Sequence, residues 1–395
     1  MPSFKALSVR VSAATLLLAS CAASAVAADR VSVGFISTLS GVNAPVGQDM
    51  LDGFNLWLAQ TSNKLGGLPV TLSVRDDESK PDVARQVAKR FVENDKVDVV
   101  TGVLASNIML SIAKPLFESK TFMLSMSAGP SVLAGKGCNP YFFAMSWQND
   151  NLAEALGQYF TEASMKRVFV LSPDFPAGRD MVAGLKRTYS TPLLSETYTQ
   201  FLQMDYASEL TKIRAMKPDS LFFFLTAGPA INFINQYAQS GLTKDVPAYA
   251  TLLDQTIFAA VGRSVHGTHT ATNWLPGLKN AANEKFVEAF KKAYNREPSP
   301  YAANAYDTAR LLDSAIAKIG GKIEDKAAFR KVLEEAPFES VRGSFKFNKN
   351  HFPIQNFYVG EAVDDGRGGT TIVERKRALT DWHDAYVNQC TMAEK

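Results

Sequence analysis

Short apolar segments alternate with amphipathic segments of helical period from Val31 onward, and this alternation constrains the fold more than any other feature of the chain. The apolar segments are rich in Val, Phe, Ile and Leu and end at polar residues, Gly or Pro, which is typical of parallel strands covered on both faces. They form two series, at residues 31–37, 68–74, 97–103 and 121–125, and at residues 167–171, 193–198, 220–225 and 246–252. The alternation predicts doubly wound α/β architecture with right-handed crossovers.

Helical patterns lie between these segments. Residues 47–62 place Met50, Phe54 and Leu58 on one face, and residues 81–94 open with a proline, which suits a helix start. Further helices are predicted at residues 107–119, 150–163, 178–189, 206–216, 229–240, 282–294, 301–319 and 325–335. Two strand–helix series in succession indicate two similar lobes, since a chain of 395 residues exceeds one typical core.

Several segments are candidates to pass between the lobes. Residues 141–147 form a candidate crossing strand, residues 268–274 precede a helical return, and residues 341–347 and 355–359 are candidates for a further crossing. We therefore predict lobe 1 at residues 29–146 and 275–345, and lobe 2 at residues 147–274 and 346–395. Multiple crossings make a hinge, which would let the lobes close around a ligand.

The first 28 residues have the features of a secretory signal peptide. Lys5 and Arg10 give a basic start, residues 11–19 are apolar, and residues 25–27 read Ala-Val-Ala before the predicted cleavage after residue 28. Export to the periplasm is the expectation. An alternative stays open, because residues 18–21 read Leu-Ala-Ser-Cys and Cys21 could be the lipidated first residue of a lipoprotein.

The net charge and the cysteine content bear on the partners of the protein and on its possible disulfide. Removing Lys5 and Arg10 lowers the formal net charge from +3 to +1, and the remaining basic residues are scattered, so no nucleic-acid partner is expected. Cys138 and Cys390 remain after cleavage, and in an oxidising compartment they form either one disulfide or two separate thiols.

Motifs of catalysis or metal binding do not occur in the sequence. It contains no Gly-x-Ser-x-Gly, no phosphate-binding Gly-x-x-x-x-Gly-Lys loop, no His-Glu-x-x-His and no Cys-x-x-Cys. His266 and His269 lie on a strand-like segment and would point to opposite faces. We expect that the protein is not an enzyme and that it binds no cofactor. A ligand-sensing module is a remote alternative, but no output domain is evident.

Candidate binding residues lie where predicted strands end, because ligands of open α/β sheets bind beyond the carboxyl ends of the strands. Ser106 follows the strand at 97–103 as a candidate helix N-cap, and the free amides there suit a carboxylate. Phe175 could close over an apolar or aromatic ligand, and Asp254 could receive a ligand hydroxyl or ammonium. Capping for Ser106 and Asp254, and packing for Phe175, are the alternatives.

The order and spacing of several short motifs add a family resemblance. They are Ser-Thr-Leu-Ser-Gly at 37–41, Asp-Asp at 76–77, Gly-Val-Leu-Ala-Ser at 102–106, Asp-Phe-Pro-Ala-Gly at 174–178, Tyr-Ala-Ala-Asn-Ala-Tyr-Asp at 301–307 and Val-Arg-Gly-Ser-Phe-Lys-Phe at 341–347. The chain after the leader resembles, end to end, the type I periplasmic binding proteins of the branched-chain amino-acid receptor family. The resemblance implies a monomer that delivers a small carboxylate ligand to the membrane permease of an ABC transporter.

The resemblance also implies roles for individual residues. Ser106 and the backbone around Ser127 and Ala128 would bind the ligand carboxylate. The second lobe would supply Phe175, Thr226, Ala227 and Asp254.

Departures from the amino-acid receptors point to the ligand. Gly129 stands where they commonly have Thr, Phe175 where they often have Tyr, and Thr226-Ala227 where many have Gly-Tyr. These changes remove hydroxyl groups that help to bind an α-amino acid. With the segment 351–358, they make the chain resemble the branch that binds benzoate-, cinnamate- or phenylpropanoid-type acids. A branched-chain or other hydrophobic amino acid is the alternative. Trp147 and Trp274 are candidates for the pocket or for the core.

Overall fold

The structure is a computed structural model that describes residues 2–3 and 29–393. The predicted cleavage site and Cys21 lie outside these residues. Within the described part of the chain, no helix combines the length and the apolar composition that crossing a bilayer requires.

Six strands form the first sheet, in the order β2-β3-β1-β4-β5-β6. They are β1 (Val31–Ser37), β2 (Lys64–Leu65), β3 (Leu68–Asp76), β4 (Val99–Gly102), β5 (Phe122–Ser125) and β6 (Phe142–Ala144). All neighbouring pairs are parallel except the short β2–β3 hairpin. In central strand β1, Val33 lies opposite Leu72 of β3 on one side and opposite Val99 of β4 on the other. These apolar residues lie between helical layers.

Helices cover both faces of this sheet. They are α1 (Ala44–Gln60), α2 (Pro81–Glu93), α3 (Ser106–Glu118), α4 (Ser131–Ala134), α10 (Ala281–Tyr294), α11 (Pro300–Lys318) and α12 (Lys326–Glu335). Helices α1 and α11 approach closely at Gly53, where a Cβ atom would lie 2.2 Å from the Ala302 carbonyl oxygen. Only glycine allows this contact, which docks the late helices onto the first sheet.

Eight strands form the second sheet, in the order β12-β13-β11-β10-β9-β7-β8, with β14 paired to β13. They are β7 (Val168–Pro173), β8 (Ser195–Thr199), β9 (Ser220–Phe223), β10 (Ala248–Thr251), β11 (His269–Thr272), β12 (Phe345–Phe347), β13 (Pro353–Asp364) and β14 (Thr370–Trp382). Strands β7 to β11 are parallel, and β12 to β14 are antiparallel. The accompanying helices are α5 (Asn149–Glu162), α6 (Pro176–Thr188), α7 (Ala207–Met216), α8 (Ala227–Gln239) and α9 (Gln255–Val261).

The structure corrects three of the predicted elements. The segment 141–147 is not itself a crossing strand, because β6 pairs with β5 at the edge of the first sheet and the chain crosses after it. Of the crossing candidate at 341–347, residues 341–344 lie in a connecting segment and strand β12 begins at Phe345. The crossing candidate at 355–359 does not cross but is part of a long β13–β14 hairpin, and β14 was missed. Only Ile372 and Leu379 of β14 are buried, so its sequence lacks an apolar run.

Three connecting segments join the two sheets with their helices, at residues 145–148, 273–280 and 336–344. They meet at one backbone atom, the carbonyl oxygen of Ser146. This oxygen accepts hydrogen bonds from Gln355 Nε2 (2.6 Å), Arg342 Nη1 (3.3 Å) and Asn273 Nδ2 (3.3 Å). Asn273 Nδ2 also reaches Asn304 Oδ1 on α11, at 3.1 Å. The predicted lobe boundaries at 146–147 and 274–275 lie within this region and stay predictions.

A buried ion pair supports the same junction. Arg342 Nε donates to Asp307 Oδ2 at 3.1 Å, and both side chains are almost completely buried. Asp307 also accepts from the Val341 amide at 3.0 Å and from the Ser340 hydroxyl. These donors compensate for the cost of burying the carboxylate.

The C-terminal tail returns to the first sheet. Cys390 follows β14, and Cys138 lies between α4 and β6. Their sulfur atoms are 2.09 Å apart and their Cα atoms 5.6 Å apart, which is bonding geometry.

We expect a chain of residues 29–395, produced in an oxidising compartment, to show no free thiol when denatured without reductant. Because the bond closes a loop over a sequence separation of 252 residues, reduction should lower the free energy of unfolding by about 2–4 kcal/mol. Thiol titration and urea unfolding with and without reductant measure both effects. The double variant Cys138→Ser/Cys390→Ser should be insensitive to reductant, and two titratable thiols in the oxidised protein would contradict the bond.

Candidate ligand-binding site

One cavity lies between the two sheets, at the carboxyl ends of their parallel strands. About 690 Å³ of space free of protein atoms lies within its borders, a volume that includes open solvent. All seven residues predicted to bind the ligand, from strand ends or from the family resemblance, border it: Ser106, Ser127, Ala128, Phe175, Thr226, Ala227 and Asp254. The folded chain therefore brings together residues that are up to 148 positions apart in sequence.

Seven helices of the described chain have residues at or near their N-termini on the border of this cavity. Six of these helices follow a strand end or a connecting segment, and α11 follows α10. The bordering residue at or near each start is Asn43 for α1, Ser106 for α3, Asn149 for α5, Phe175 for α6, Ala227 for α8, Asp254 for α9 and Tyr301 for α11. The first-turn amides of a helix have no partners within the helix and carry partial positive charge. Their convergence makes the cavity electropositive.

Four of these helix starts have no side-chain cap. The residues at the N-cap positions of α1, α3, α6 and α8 are Asn43, Ala105, Phe175 and Thr226, and none of them caps its helix with a side-chain hydrogen bond. Among the described residues that line the cavity there is no Lys, Arg or His. An anion here would be held by backbone amides and hydroxyls rather than by a basic side chain.

Ser106 differs from its predicted role as an N-cap. Ala105 occupies the cap position, and Ser106 is the first helical residue of α3. The Ser106 hydroxyl instead accepts a hydrogen bond from Asn149 Nδ2 at 3.1 Å. Ser106 is therefore available to the cavity rather than committed to its own helix.

Ser127 and Ala128 form the small-residue loop after β5. Ser127 Oγ donates to the Leu104 carbonyl at 3.1 Å, so this hydroxyl holds the loop in place. The Ser127 carbonyl accepts from Ser146 Oγ at 2.9 Å, and the Ala128 carbonyl accepts from Ser125 Oγ at 2.6 Å. These donors offset the negative partial charge of two carbonyls beside the cavity.

Aromatic rings border the cavity from both sheets. Phe175 stacks on Phe224 with centroids 6.0 Å apart and contacts Phe201 at 4.7 Å. Trp147 and Tyr301 meet edge to face, with centroids 5.9 Å apart. Flat, apolar surfaces of this kind suit a planar ligand.

Asp254 is the one carboxylate among the described residues that line the cavity, and it is buried. It caps α9, with Oδ1 accepting from the Thr256 amide at 2.8 Å, so it combines the capping and cavity roles. Burial raises the pKa of Asp254 to about 7, and the negative charge of Asp49 acts in the same direction. Near neutral pH, the side chain can therefore donate or accept a hydrogen bond.

Comparison with known proteins places this arrangement in a family. The family model described as periplasmic binding protein matches residues 30–367. The chain belongs to this family. A Leu/Ile/Val-binding protein homologue from Brucella melitensis biotype 1 is 24% identical over 370 residues, covering 90% of this chain and 94% of the relative.

Two solved structures are similar along nearly their whole length. A solute-binding protein of an ABC transporter from R. palustris, in complex with benzoate, is 28% identical with a TM-score of 0.87, covering 92% of this chain and 99% of that chain. A second, from Rhodopseudomonas palustris BisB5 in complex with 3,4-dihydroxybenzoic acid, is 25% identical with a TM-score of 0.82, covering 90% and 99%.

Sequence reasoning missed two polar residues of this periplasmic binding protein's cavity. Asn149 lies just after the first connecting segment, and Tyr301 lies at the start of α11, so neither follows a strand. The available signals were the predicted crossing at 141–147 for Asn149 and the motif at 301–307 for Tyr301. Trp147 borders the cavity, whereas Trp274 lies in the core, where Nε1 donates to Asn283 Oδ1 at 2.7 Å.

The raised pKa of Asp254 predicts a pH-dependent cost of folding. A carboxyl that titrates at 3.8 when unfolded and at about 7 when folded destabilises the protein progressively as pH rises between those values. Asp254→Asn should therefore increase the free energy of unfolding by an amount that grows from about pH 4 to about pH 7, up to at most about 4 kcal/mol.

Urea unfolding of ligand-free protein between pH 5 and pH 8 measures this gain. The exposed loop carboxyl Asp174, which pairs with Arg179 at 2.8 Å, provides the matched control Asp174→Asn, with an expected effect below about 1 kcal/mol. If Asp254→Asn increased the free energy of unfolding by the same amount at every pH, the Asp254 carboxyl group would be ionised in the folded protein.

Proposed function

We propose that this protein is the solute-binding component of an ABC transporter and that it captures a small aromatic carboxylate outside the cytoplasmic membrane. The observation that carries the proposal is the cavity itself: uncapped helix N-termini and hydroxyls converge on a space walled by aromatic rings, with no basic side chain among the described lining residues. Such a site offers stabilisation to one diffuse negative charge attached to a flat apolar body.

The carboxylate end of the ligand belongs at Ser106, Ser127 and Ala128. Uncapped amides of α3 begin there, and a bound anion would complete their hydrogen bonding. The aromatic body would then lie against Phe175 and the Thr226-Ala227 strand end. Asp254 would receive a ring hydroxyl or lie beside the ring edge. Both neighbours described above, which are in complex with benzoate and with 3,4-dihydroxybenzoic acid, support an aromatic acid as the ligand.

A branched-chain amino acid is the second candidate, supported by the Leu/Ile/Val-binding relative. An α-ammonium group is bound most strongly by an ionised carboxylate, and Asp254 is the one carboxyl group among the described residues that line the cavity. Asp49, close enough to raise the pKa of Asp254, is itself bound to Arg296 and Ser299. One carboxylate whose ionisation is disfavoured by burial is a weak ammonium site, which favours an acid without an amino group.

Capture requires closure. Residues from elements of both sheets border the cavity, so a ligand that touches both sets stabilises the closed form over any open one. The three connecting segments would provide the hinge, and the closed form would dock on the membrane permease as a monomer. We also propose cleavage of the leader after residue 28 and a Cys138–Cys390 disulfide in the mature chain.

We expect calorimetry of the mature protein to detect binding of benzoate, 4-hydroxybenzoate or cinnamate and not of leucine. In thermal shift, an acid present at 100 times its dissociation constant should stabilise the protein by about 2.7 kcal/mol. Leucine binding without binding of any aromatic acid would reject the aromatic ligand while keeping the transport role. Binding of neither class would reject both.

Phe175→Leu tests the aromatic wall with a side chain of similar apolar character. Loss of the stacked ring should weaken benzoate binding about 5- to 10-fold, the energy of one aromatic pair. Cyclohexanecarboxylate is the matched ligand, because it keeps the carboxylate and ring size but cannot stack. An equal loss for both ligands would show that Phe175 supplies bulk only.

Closure can be tested at the mouth of the cavity. A Cβ atom on Gly228, at the start of α8, would lie 2.5 Å from Val42 Cβ, on the segment before α1. Gly228→Ala should therefore weaken ligand binding at least about 10-fold by opposing closure, without destabilising the ligand-free protein. Adding Val42→Gly should restore affinity. If Val42→Gly did not restore the affinity, the effect of Gly228→Ala would not be caused by contact with Val42.

A further inference from the structure

A buried amide stands behind the serine at the proposed carboxylate end. Asn149 Nδ2 donates to Ser106 Oγ at 3.1 Å and to Asp180 Oδ2 at 2.9 Å. Asn149 Oδ1 accepts from the Gly129 amide at 3.1 Å. Asn149 and Ser106 are each 2% exposed, so these bonds are formed away from bulk water and use both ends of the amide.

Asp180 determines which way this amide points. Its carboxylate accepts from the Ser131 amide (2.9 Å), the Ser131 hydroxyl (2.6 Å) and Asn149 Nδ2, so it is held as an acceptor from several sides. Rotating the Asn149 amide by 180° would bring its oxygen against the Asp180 carboxylate and its NH₂ group against the Gly129 N–H. Both contacts would be repulsive, so a single amide orientation is stable.

The orientation of Asn149 determines the role of Ser106. A hydroxyl has one proton and can accept at its lone pairs. Because Ser106 Oγ already accepts from Asn149, its own proton must be directed elsewhere. No acceptor for that proton occurs among residues 29–393, and Ser106 borders the cavity. The proton is thus available to a ligand acceptor.

We propose that Asp180 and Asn149 are positioning residues that hold Ser106 as a hydrogen-bond donor, so that the site selects an ionised carboxylate over the corresponding amide. This rests on the proposed function to the extent that the ligand presents its carboxylate at Ser106. Asp180 and Asn149 act through Ser106 and need not touch the ligand.

Gly129 belongs to the same arrangement. Its amide donates to Asn149 Oδ1, and its carbonyl accepts from the Asn149 amide at 2.8 Å. A Cβ atom at this position would lie 1.9 Å from the Trp147 carbonyl oxygen. The connecting segment therefore leaves no room for a threonine at this position, and the Asn149 side chain supplies polar groups there instead.

We call the hydrogen-bonded chain from Asp180 through Asn149 to Ser106 the relay. Asn149→Asp replaces the NH₂ group that donates to Ser106 with an oxygen and leaves the shape of the side chain nearly unchanged. The oxygen that replaces Nδ2 would lie against Asp180 Oδ2, where the two carboxyl groups must share one proton between them. With the shared proton there, this oxygen can only accept from Ser106, so the serine proton turns toward it and the serine lone pairs face the ligand. We expect the ratio of benzoate to benzamide affinity, measured by calorimetry at pH 8, to fall at least about 10-fold. Burial raises the pKa of Asp180 in the wild type to about 6, so Asp180 is ionised there at this pH.

Ser106→Ala provides the matched control through a double-mutant cycle. If Asn149 acts through Ser106, Asn149→Asp should change the ratio in the wild-type background and not in Ser106→Ala. A merely structural role would lower both affinities together and leave the ratio unchanged. Should Asn149→Asp fail to fold by circular dichroism, Asp180→Asn is the second variant, because it releases the amide orientation and should also lower the ratio.

The outcomes separate this inference from the proposed function. If the wild type binds leucine instead of benzoate, leucine and leucinamide replace the probe pair; a lowered ratio in Asn149→Asp then supports the relay while the aromatic ligand is rejected. If the wild type binds benzoate and the folded variants keep its ratio, the relay is overturned and the function stands. Equal affinity of the wild type for acid and amide also overturns the relay.

Discussion

The carbonyl oxygen of Ser146 is the contact on which the rest of the structure depends. Three side chains donate to this one acceptor: Asn273 and Arg342, which lie in the other two connecting segments, and Gln355, which lies on β13. Arg342 is in turn paired with buried Asp307. Removing one partner of a buried pair leaves an uncompensated charge, which is strongly destabilising. The neighbours of Ser146 along the chain, Trp147 and Asn149, border the cavity. The geometry of the junction is therefore also the geometry of the ligand site.

Charge in the cavity comes from backbone dipoles rather than from basic side chains. Seven helices start at its border, and four of them lack side-chain caps. Dipoles held by folded helices need no reorganisation when an anion arrives, and they leave the remaining wall free for apolar contact. Asp254 is the exception, and its raised pKa shows the cost of placing a carboxylate there. A residue kept at such a cost is a candidate for ligand recognition rather than for stability.

Many elements of the fold could be predicted from local patterns, and the failures have physical causes. Strand β1 was predicted with its observed bounds, because a fully buried parallel strand requires a continuous apolar run. Strand β14 was missed because it is held by pairing with β13 and buries few side chains, and five of its 13 residues are charged. The predicted cap at Ser106 was wrong because Asn149, 43 residues away, engages its hydroxyl. Local propensity cannot anticipate a competing partner of that kind.

By itself, the sequence determined the alternation of strands and helices, and with it the strand ends where Ser106, Phe175, Thr226 and Asp254 lie. Those features depend on short-range periodicity and on the rule that parallel strands share a carboxyl edge. Only the tertiary structure decided that the strand ends of two sheets face one cavity, that Asn149 and Tyr301 join them, and that Asp254 is buried enough to raise its pKa. Burial, hydrogen-bond polarity and the meeting of three chain crossings arise from contacts between residues far apart in sequence, which no local pattern encodes.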